Sequence, residues 1–170
     1  MPKQATTRQC GRYSKERNIS VSEQYSSQDQ LAPTHPAVIK TKKWLEDIVI
    51  GLNFCPFAKK EFVNNTIRYT STNKGQLQDA LSLFAQECQQ LIESPEIETT
   101  LVVFTIGFRQ FEKYLDLVDY CNELIVELDY EGDIQLASFH PEYEFEGEPK
   151  NSPSHYTNRA PFPTLHLIRE

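Results

Sequence analysis

Apolar residues recur every three or four positions in three stretches of the chain, which predicts three helices that each bury one face. The first runs from Pro36 to about Gly51, the second from Leu77 to just before Pro95, and the third over residues 108–128. Proline at the start and glycine at the end of the first stretch fit these boundaries.

Three shorter stretches predict strands. Residues 66–70 alternate and are rich in β-branched side chains, residues 99–106 are apolar without alternation, and residues 133–139 form the third. Strands that alternate with helices favour right-handed βαβ crossovers. The sequence therefore predicts an α/β fold: a single domain with a βαβαβ core and a parallel-rich sheet flanked by helices, followed by a long C-terminal loop and a last short strand at 164–168.

Composition divides the chain into two parts. Residues 1–36 are polar and basic and predict a disordered tail, whose composition also fits a mitochondrial or plastid transit peptide. Residues 37–170 are expected to form the single α/β domain. Its last strand falls close to residue 170, so we expect the domain to be truncated at its C-terminus.

The net charge and the cysteine content restrict the classes of partner that we expect and the cellular compartment. The chain carries a net charge of −7, and an acidic body argues against nucleic-acid or anionic-membrane partners. Its four cysteines are widely spaced, and no long apolar segment is present, which favours a reduced, cytoplasmic protein, with an organelle as the alternative. A small-molecule ligand is the expected partner; cofactor and oligomeric state stay open.

Cys55 is the first candidate functional residue. Pro56 is expected to begin a short helix with Cys55 at its N-cap, where free backbone N–H groups and the nearby charge of Lys59 favour the thiolate. The alternative is that Cys55 is a small apolar residue packed between Phe54 and Phe57.

The second candidate region is the segment 140–162, which is rich in proline and acidic residues and predicts a long surface loop or lid. It follows the third strand directly, and ligands in α/β sheets bind beyond the carboxyl ends of strands. We therefore expect a polar pocket at the C-terminal end of the third strand. His155, within this loop, is expected to be exposed.

Three stretches carry a resemblance: residues 51–58 (GLNFCPFA), 137–141 (ASFHP) and 156–170 (YTNRAPFPTLHLIRE). Together they resemble a mostly bacterial family that is known only as a domain of unknown function. The resemblance implies no activity, and it implies a further helix after residue 170. It marks seven positions within or beside its motifs: Cys55, His140, Tyr143, Asn158, Arg159, His166 and Arg169.

Two enzymatic hypotheses follow from these residue types. A thiol-dependent enzyme would use Cys55 as nucleophile, His140 or His166 as base, and Asn158 or Arg159 to orient the base or the substrate. A metal-dependent enzyme would bind the ion through His140, His166 and either Cys55 or Glu142.

Two non-covalent alternatives remain open, and the first is the favoured one. A small-molecule or anion-binding protein, with hydrolase or transferase activity as a variant, would use Lys59, Arg159 and Arg169 as cations. The polar lining of its pocket would be Cys55, His140, Asn158, Arg159 and His166, with Tyr143 as a further ligand-binding candidate. A partner-binding module would use the loop that carries Tyr143 and Phe145. A purely structural role for both histidines is the remaining alternative.

Overall fold

The structure, a computed structural model, describes residues 30–170. The predictions made for residues 1–29, including the tail and the transit peptide, lie outside the described residues.

The described chain contains four α-helices and four strands. In chain order they are α1 (Pro36–Trp44), α2 (Ala58–Asn64), β1 (Ile67–Thr72), α3 (Leu77–Glu93), β2 (Thr99–Phe104), α4 (Phe111–Glu127), β3 (Ile134–Phe139) and β4 (Thr164–Arg169). A π-helical segment, Leu45–Ile50, continues α1, and a 3-10 helix, Pro153–Thr157, precedes β4. The three predicted helices and the four predicted strands are confirmed, and the short helix after Pro56 begins at Ala58.

The sheet is mixed, with strand order β1-β2-β4-β3. The strands β1 and β2 pair in parallel, whereas β4 pairs antiparallel with both β2 and β3. The α/β class and the single domain are confirmed, and β1, β2 and β3 share one direction as a βαβαβ core requires. The expectation of a parallel-rich sheet therefore holds for strand direction but not for pairing, because β4 inserts between β2 and β3.

Helices cover both faces of the sheet. Side chains alternate along a strand, so Val102 of β2 and Leu165 of β4 pack in the main core with α3 and α4. Leu101 and its register partner His166 lie on the other face, towards α1, the π-helical segment and α2. This second face carries both cavities described below.

The last turns of the predicted first helix are π-helical rather than α-helical. The Gly51 N–H donates to the Glu46 carbonyl at 3.0 Å, and the Phe54 N–H donates to the Val49 carbonyl at 2.8 Å, both five residues back. Such segments are rare and often occur at functional sites. The extra residue in the turn shifts the register of the chain that leaves it.

Residues 30–35, assigned to the tail on composition, contact the domain. The Leu31 N–H donates to the Ser71 carbonyl at 2.8 Å, and the Gln30 side chain donates to Glu87 at 3.0 Å. His35 caps α1 by accepting from the Ala37 N–H at 3.2 Å. The contacts of the domain therefore begin before residue 37. In the part of the chain from residue 30 onwards, no helix has the length and apolar content needed to cross a membrane.

Candidate functional site

A cleft lies at the carboxyl end of β3, where the sequence predicted a pocket. It has a volume of about 760 Å³ and lies between α1, the loop after the π-helical segment and the residues before β4. Among the described residues, the charged ones in its lining are Lys40, Lys43 and Arg159, and the rest of that lining is apolar or aromatic. We call it the basic cleft. A volume of this size is typical of small-molecule sites.

Two contacts fix the position of the Arg159 guanidinium. Its Nε donates to the Tyr143 carbonyl at 3.1 Å, and its guanidinium carbon lies 4.9 Å from the centroid of the Tyr156 ring. The terminal nitrogens Nη1 and Nη2 make no hydrogen bond to any residue of the described chain. A guanidinium fixed in this way keeps both terminal nitrogens, with four N–H donors, for an oxygen ligand, and a planar fork suits carboxylate and phosphate groups.

Asn158 fixes the backbone that presents Arg159. Its Nδ2 donates to the Ser138 carbonyl at 3.1 Å, and its own carbonyl accepts from the His140 N–H at 3.1 Å. These two bonds join the loop to the end of β3. Asn158 was predicted as a ligand-binding residue, and the structure places its amide in this backbone contact.

The lysines of the cleft lie on α1. Lys43 pairs with Asp47 at 2.6 Å on the exposed surface, and the hydrogen bond and charge of that carboxylate raise the pKa of Lys43. Lys40 lies one turn earlier and makes no ion pair with a described residue. Lys40 and Arg159 therefore supply the cationic charge that no neighbouring carboxylate offsets.

A second cavity, of about 470 Å³, lies at the opposite end of the strands. Cys55, Thr99 and His166 line it together with apolar side chains such as Leu45, and the lining also includes Arg169 and three glutamates. We call it the Cys55 cavity. The prediction of Cys55 at a helix N-cap is wrong, because α2 begins at Ala58 and its N-cap is Phe57. Cys55 is instead partly buried and packs against the apolar cluster that contains Leu45.

His166 is held as a neutral imidazole of defined tautomer. The Thr99 hydroxyl donates its single proton to the Leu167 carbonyl at 2.6 Å, so its oxygen must accept from the His166 Nε2–H at 2.5 Å. Burial lowers the pKa of His166 to about 4. Nδ1 therefore carries the lone pair. No hydrogen bond joins His166 to Cys55 in the described chain, so the shared cavity does not create an activated thiol pair.

His140 is not available as a catalytic base. Its Nε2 contacts the Phe108 carbonyl at 2.9 Å and its Nδ1 accepts from the Glu142 N–H at 3.0 Å, so both ring nitrogens are satisfied by backbone. The side chain is fully buried between the rings of Phe111 and Tyr114. Burial lowers its pKa, and the bond to Phe108 opposes that effect. His140 lines neither cavity, so it does not meet Cys55 as the predicted base or as a metal ligand.

The metal hypothesis also lacks a ligand set. Among residues 30–170, no group of three or more histidine, cysteine, aspartate or glutamate side chains is arranged to hold a metal ion. Cys55 and His166 share a cavity, but His140 packs against α4 and Glu142 is exposed. The described residues therefore do not form the predicted His, His and Cys or Glu site.

Arg169 stabilises a helix end. Its guanidinium donates to the carbonyls of Leu91, Ser94 and Ile97, which follow the last turn of α3 or lie within it. A cation at a helix C-terminus satisfies free carbonyls and complements the helix dipole. This use of its donors argues against the predicted anion contact. Lys59 is exposed on α2 and lines neither cavity.

The loop residues proposed for partner binding pack against each other. The Tyr143 ring lies 5.0 Å from Phe145 and 5.3 Å from Phe111 between centroids. The expectation of an exposed His155 is wrong: it is fully buried, accepts from the Phe145 N–H at 3.1 Å and lies 2.8 Å from the Pro149 carbonyl. These contacts fix the conformation of the loop and pack it against α4 through Phe111. Partner binding through it stays a prediction.

Residues 36–170 match the protein family of unknown function DUF1415. The chain belongs to this family. No curated protein and no solved structure matches the chain.

Of the residues that line the basic cleft in this DUF1415 chain, sequence reasoning predicted only Arg159. The missed residues include four with a cationic or aromatic side chain that could contact a ligand: Lys40, Lys43, Trp44 and Tyr156. A signal for three of them was present, because residues at positions i, i+3 and i+4 share one face of a helix. Nothing in the local sequence indicated that this face would meet Arg159, which follows more than a hundred residues later.

Proposed function

We propose that the protein binds a small anion, with a carboxylate or phosphate group, in the basic cleft. The observation that carries this proposal is the geometry of Arg159. Its Nε is used by the Tyr143 carbonyl and its plane lies by Tyr156, so its position is set before a ligand arrives. Its two terminal nitrogens remain for the anion. A preorganised donor loses less entropy when it binds.

The charge distribution supports the same proposal. The chain has a net charge of −7, yet among residues 30–170 the lining of the cleft holds three cations and no carboxylate, and of the three only Lys43 is paired, with Asp47. Clustered charge of one sign in a concave, largely apolar site focuses the field and raises the local concentration of oppositely charged ligand. An acidic protein that concentrates cations in one cleft presents one favoured place for an anion.

We propose binding rather than acid–base chemistry as the function of this cleft. General acid–base catalysis needs a group that exchanges a proton near the working pH and lies within hydrogen-bond reach of the reacting atoms. The lining contains no imidazole, thiol or carboxylate. A hydrolase or transferase activity in the cleft would need its substrate or a partner to supply that group.

Trp44 offers a direct assay, because it is the only tryptophan in the chain and lines the cleft. Titration with inorganic phosphate and with acetate should give a saturable change in its fluorescence. Arg159→Gln should weaken binding by roughly 10-fold to 100-fold, since a hydrogen bond to a charged group contributes about 1.5–3 kcal/mol.

The matched control is Lys113→Gln, which removes an exposed cation on α4, on the other side of the sheet. This variant should bind like the unmodified protein. Equal weakening in the two variants would show that the anion responds to net charge alone, and an absence of any saturable signal would contradict the proposal.

A further inference from the structure

We infer that the anion bound in the basic cleft carries an apolar aryl or alkyl body, so that the ligand is an amphiphilic organic anion rather than an inorganic ion or a sugar phosphate. This inference rests on the proposed function and adds the chemical class of the ligand. It follows from the part of the cleft that the cations do not occupy.

One wall of the cleft is apolar and exposed to water. Leu52 is 58% exposed and Phe54 is 40% exposed, and both line the cleft beside Ile48 and Trp44. Single exposed apolar side chains are common, whereas several that meet in a concave site usually mark a binding surface. A ligand with an apolar body would remove this wall from water.

The wall is fixed by backbone hydrogen bonds. The N–H groups of Leu52, Asn53 and Phe54 donate to carbonyls of the π-helical segment at 3.0, 3.0 and 2.8 Å. Asn53 has a φ of 56°, which reverses the chain between the two apolar residues. Leu52 and Phe54 are therefore held in the cleft, although their side chains are exposed, and the apolar surface exists before the ligand binds.

The cations lie in the same cleft as this wall. Lys40 is on α1, one turn before Trp44, and Arg159 is in the segment that also supplies Pro161 to the lining. An inorganic phosphate would satisfy the cations and leave the apolar wall in contact with water. A hydroxylated body would meet few polar partners, because apart from its three cations the cleft is lined by apolar and aromatic residues.

Two ligands with the same phosphate head test the inference. The dissociation constants of phenyl phosphate and glycerol phosphate are measured by calorimetry on the full chain. Phenyl phosphate should bind at least about tenfold more tightly, which corresponds to about 1.4 kcal/mol. Each should lose affinity in Arg159→Gln, which shows that both bind in the basic cleft.

Neighbouring apolar residues provide the matched variants. Phe54→Ser should reduce the preference for phenyl phosphate to less than about threefold, since a few tens of Å² of apolar contact are lost. Phe57→Ser is the control, because Phe57 is 74% exposed on the same loop but lines the Cys55 cavity. It should retain the full preference. If Phe54→Ser does not fold, Leu52→Ser tests instead whether the apolar wall determines the preference for phenyl phosphate.

The possible results of these measurements distinguish the anion-binding proposal from the apolar-body inference. Equal affinity of both phosphates, with dependence on Arg159, would overturn the apolar-body inference and leave anion binding intact. A preference that Phe57→Ser abolishes as fully as Phe54→Ser would also overturn it. Binding of neither ligand would overturn the proposed function and the inference together.

Discussion

The partly buried His166, whose imidazole is neutral at pH 7, makes the stability of the protein sensitive to acid. Burial lowers the pKa of His166 to about 4, whereas an unfolded histidine titrates near 6.5. Between these values the unfolded chain binds the proton and the folded chain does not. The free energy of unfolding therefore falls as the pH decreases through this window. From pH 7 to pH 5, linkage gives a loss of about 2 kcal/mol from this one group.

His166→Phe isolates this contribution. A phenyl ring keeps the packing against Phe139, whose centroid lies 5.7 Å from the imidazole, but cannot bind a proton. The variant loses the hydrogen bond to Thr99 at every pH, so its stability is lower by a constant amount. The carboxylates and His140 titrate in both proteins and cancel in the difference.

The assay is urea unfolding followed by Trp44 fluorescence at a series of pH values. The difference in unfolding free energy between the unmodified protein and His166→Phe should shrink by about 2 kcal/mol from pH 7 to pH 5. A difference that stays constant over this range would refute the assignment of His166 as a partly buried neutral group. A difference that grows would mean that the folded state binds the proton more tightly than the unfolded chain.

Three further outcomes are expected. His140→Phe should lower the free energy of unfolding by about 2–4 kcal/mol, because two buried backbone groups lose their partner, and should leave phosphate affinity within about twofold; a selective loss of binding would restore His140 to the site. Cys55 should react with iodoacetamide at least about tenfold faster than Cys88 or Cys121, because burial raises the pKa of Cys88 to about 12 and also raises that of Cys121; peptide mass spectrometry separates the sites, and equal labelling of the folded protein would contradict the burial. Arg169→Met should cost about 2–3 kcal/mol through the carbonyls it leaves at the end of α3, without weakening phosphate binding; weaker binding at unchanged stability would support the original anion-contact prediction.

The regular elements could be predicted because their signals are local. The spacing of Phe84, Cys88 and Leu91 predicted the buried face of α3, although Leu77, which the same pattern assigned to that face, is exposed. The unbroken apolar run of β2 likewise predicted a central strand, and all its residues are buried. The pairing of β4 could not be predicted in the same way, because strand order depends on contacts between segments far apart in the chain.

Of the residues that line the basic cleft, the sequence predicted only Arg159. A pocket was expected at the carboxyl end of β3, where the basic cleft lies, and Arg159 was among its expected residues, whereas Cys55 and His166 line the cavity at the other end of the strands. Ligand binding in the basic cleft stays a prediction. His140 was assigned a chemical role because a histidine at a strand end looks the same in sequence whether its nitrogens face solvent or backbone. Only the positions of the Phe108 carbonyl and the Glu142 N–H decide between these roles.

The position of β4 has a consequence for how the protein folds. This strand follows the other three in sequence, yet within residues 30–170 it is the only sheet neighbour of β3 and one of two neighbours of β2. Pairs such as Thr99 with Ile168 span nearly half the chain, and such long-range contacts slow folding. While the polypeptide is being synthesised, the edge of β2 that pairs with β4 stays unpaired until β4 has been translated. We therefore expect nascent chains to need protection from aggregation until the final strand closes the sheet.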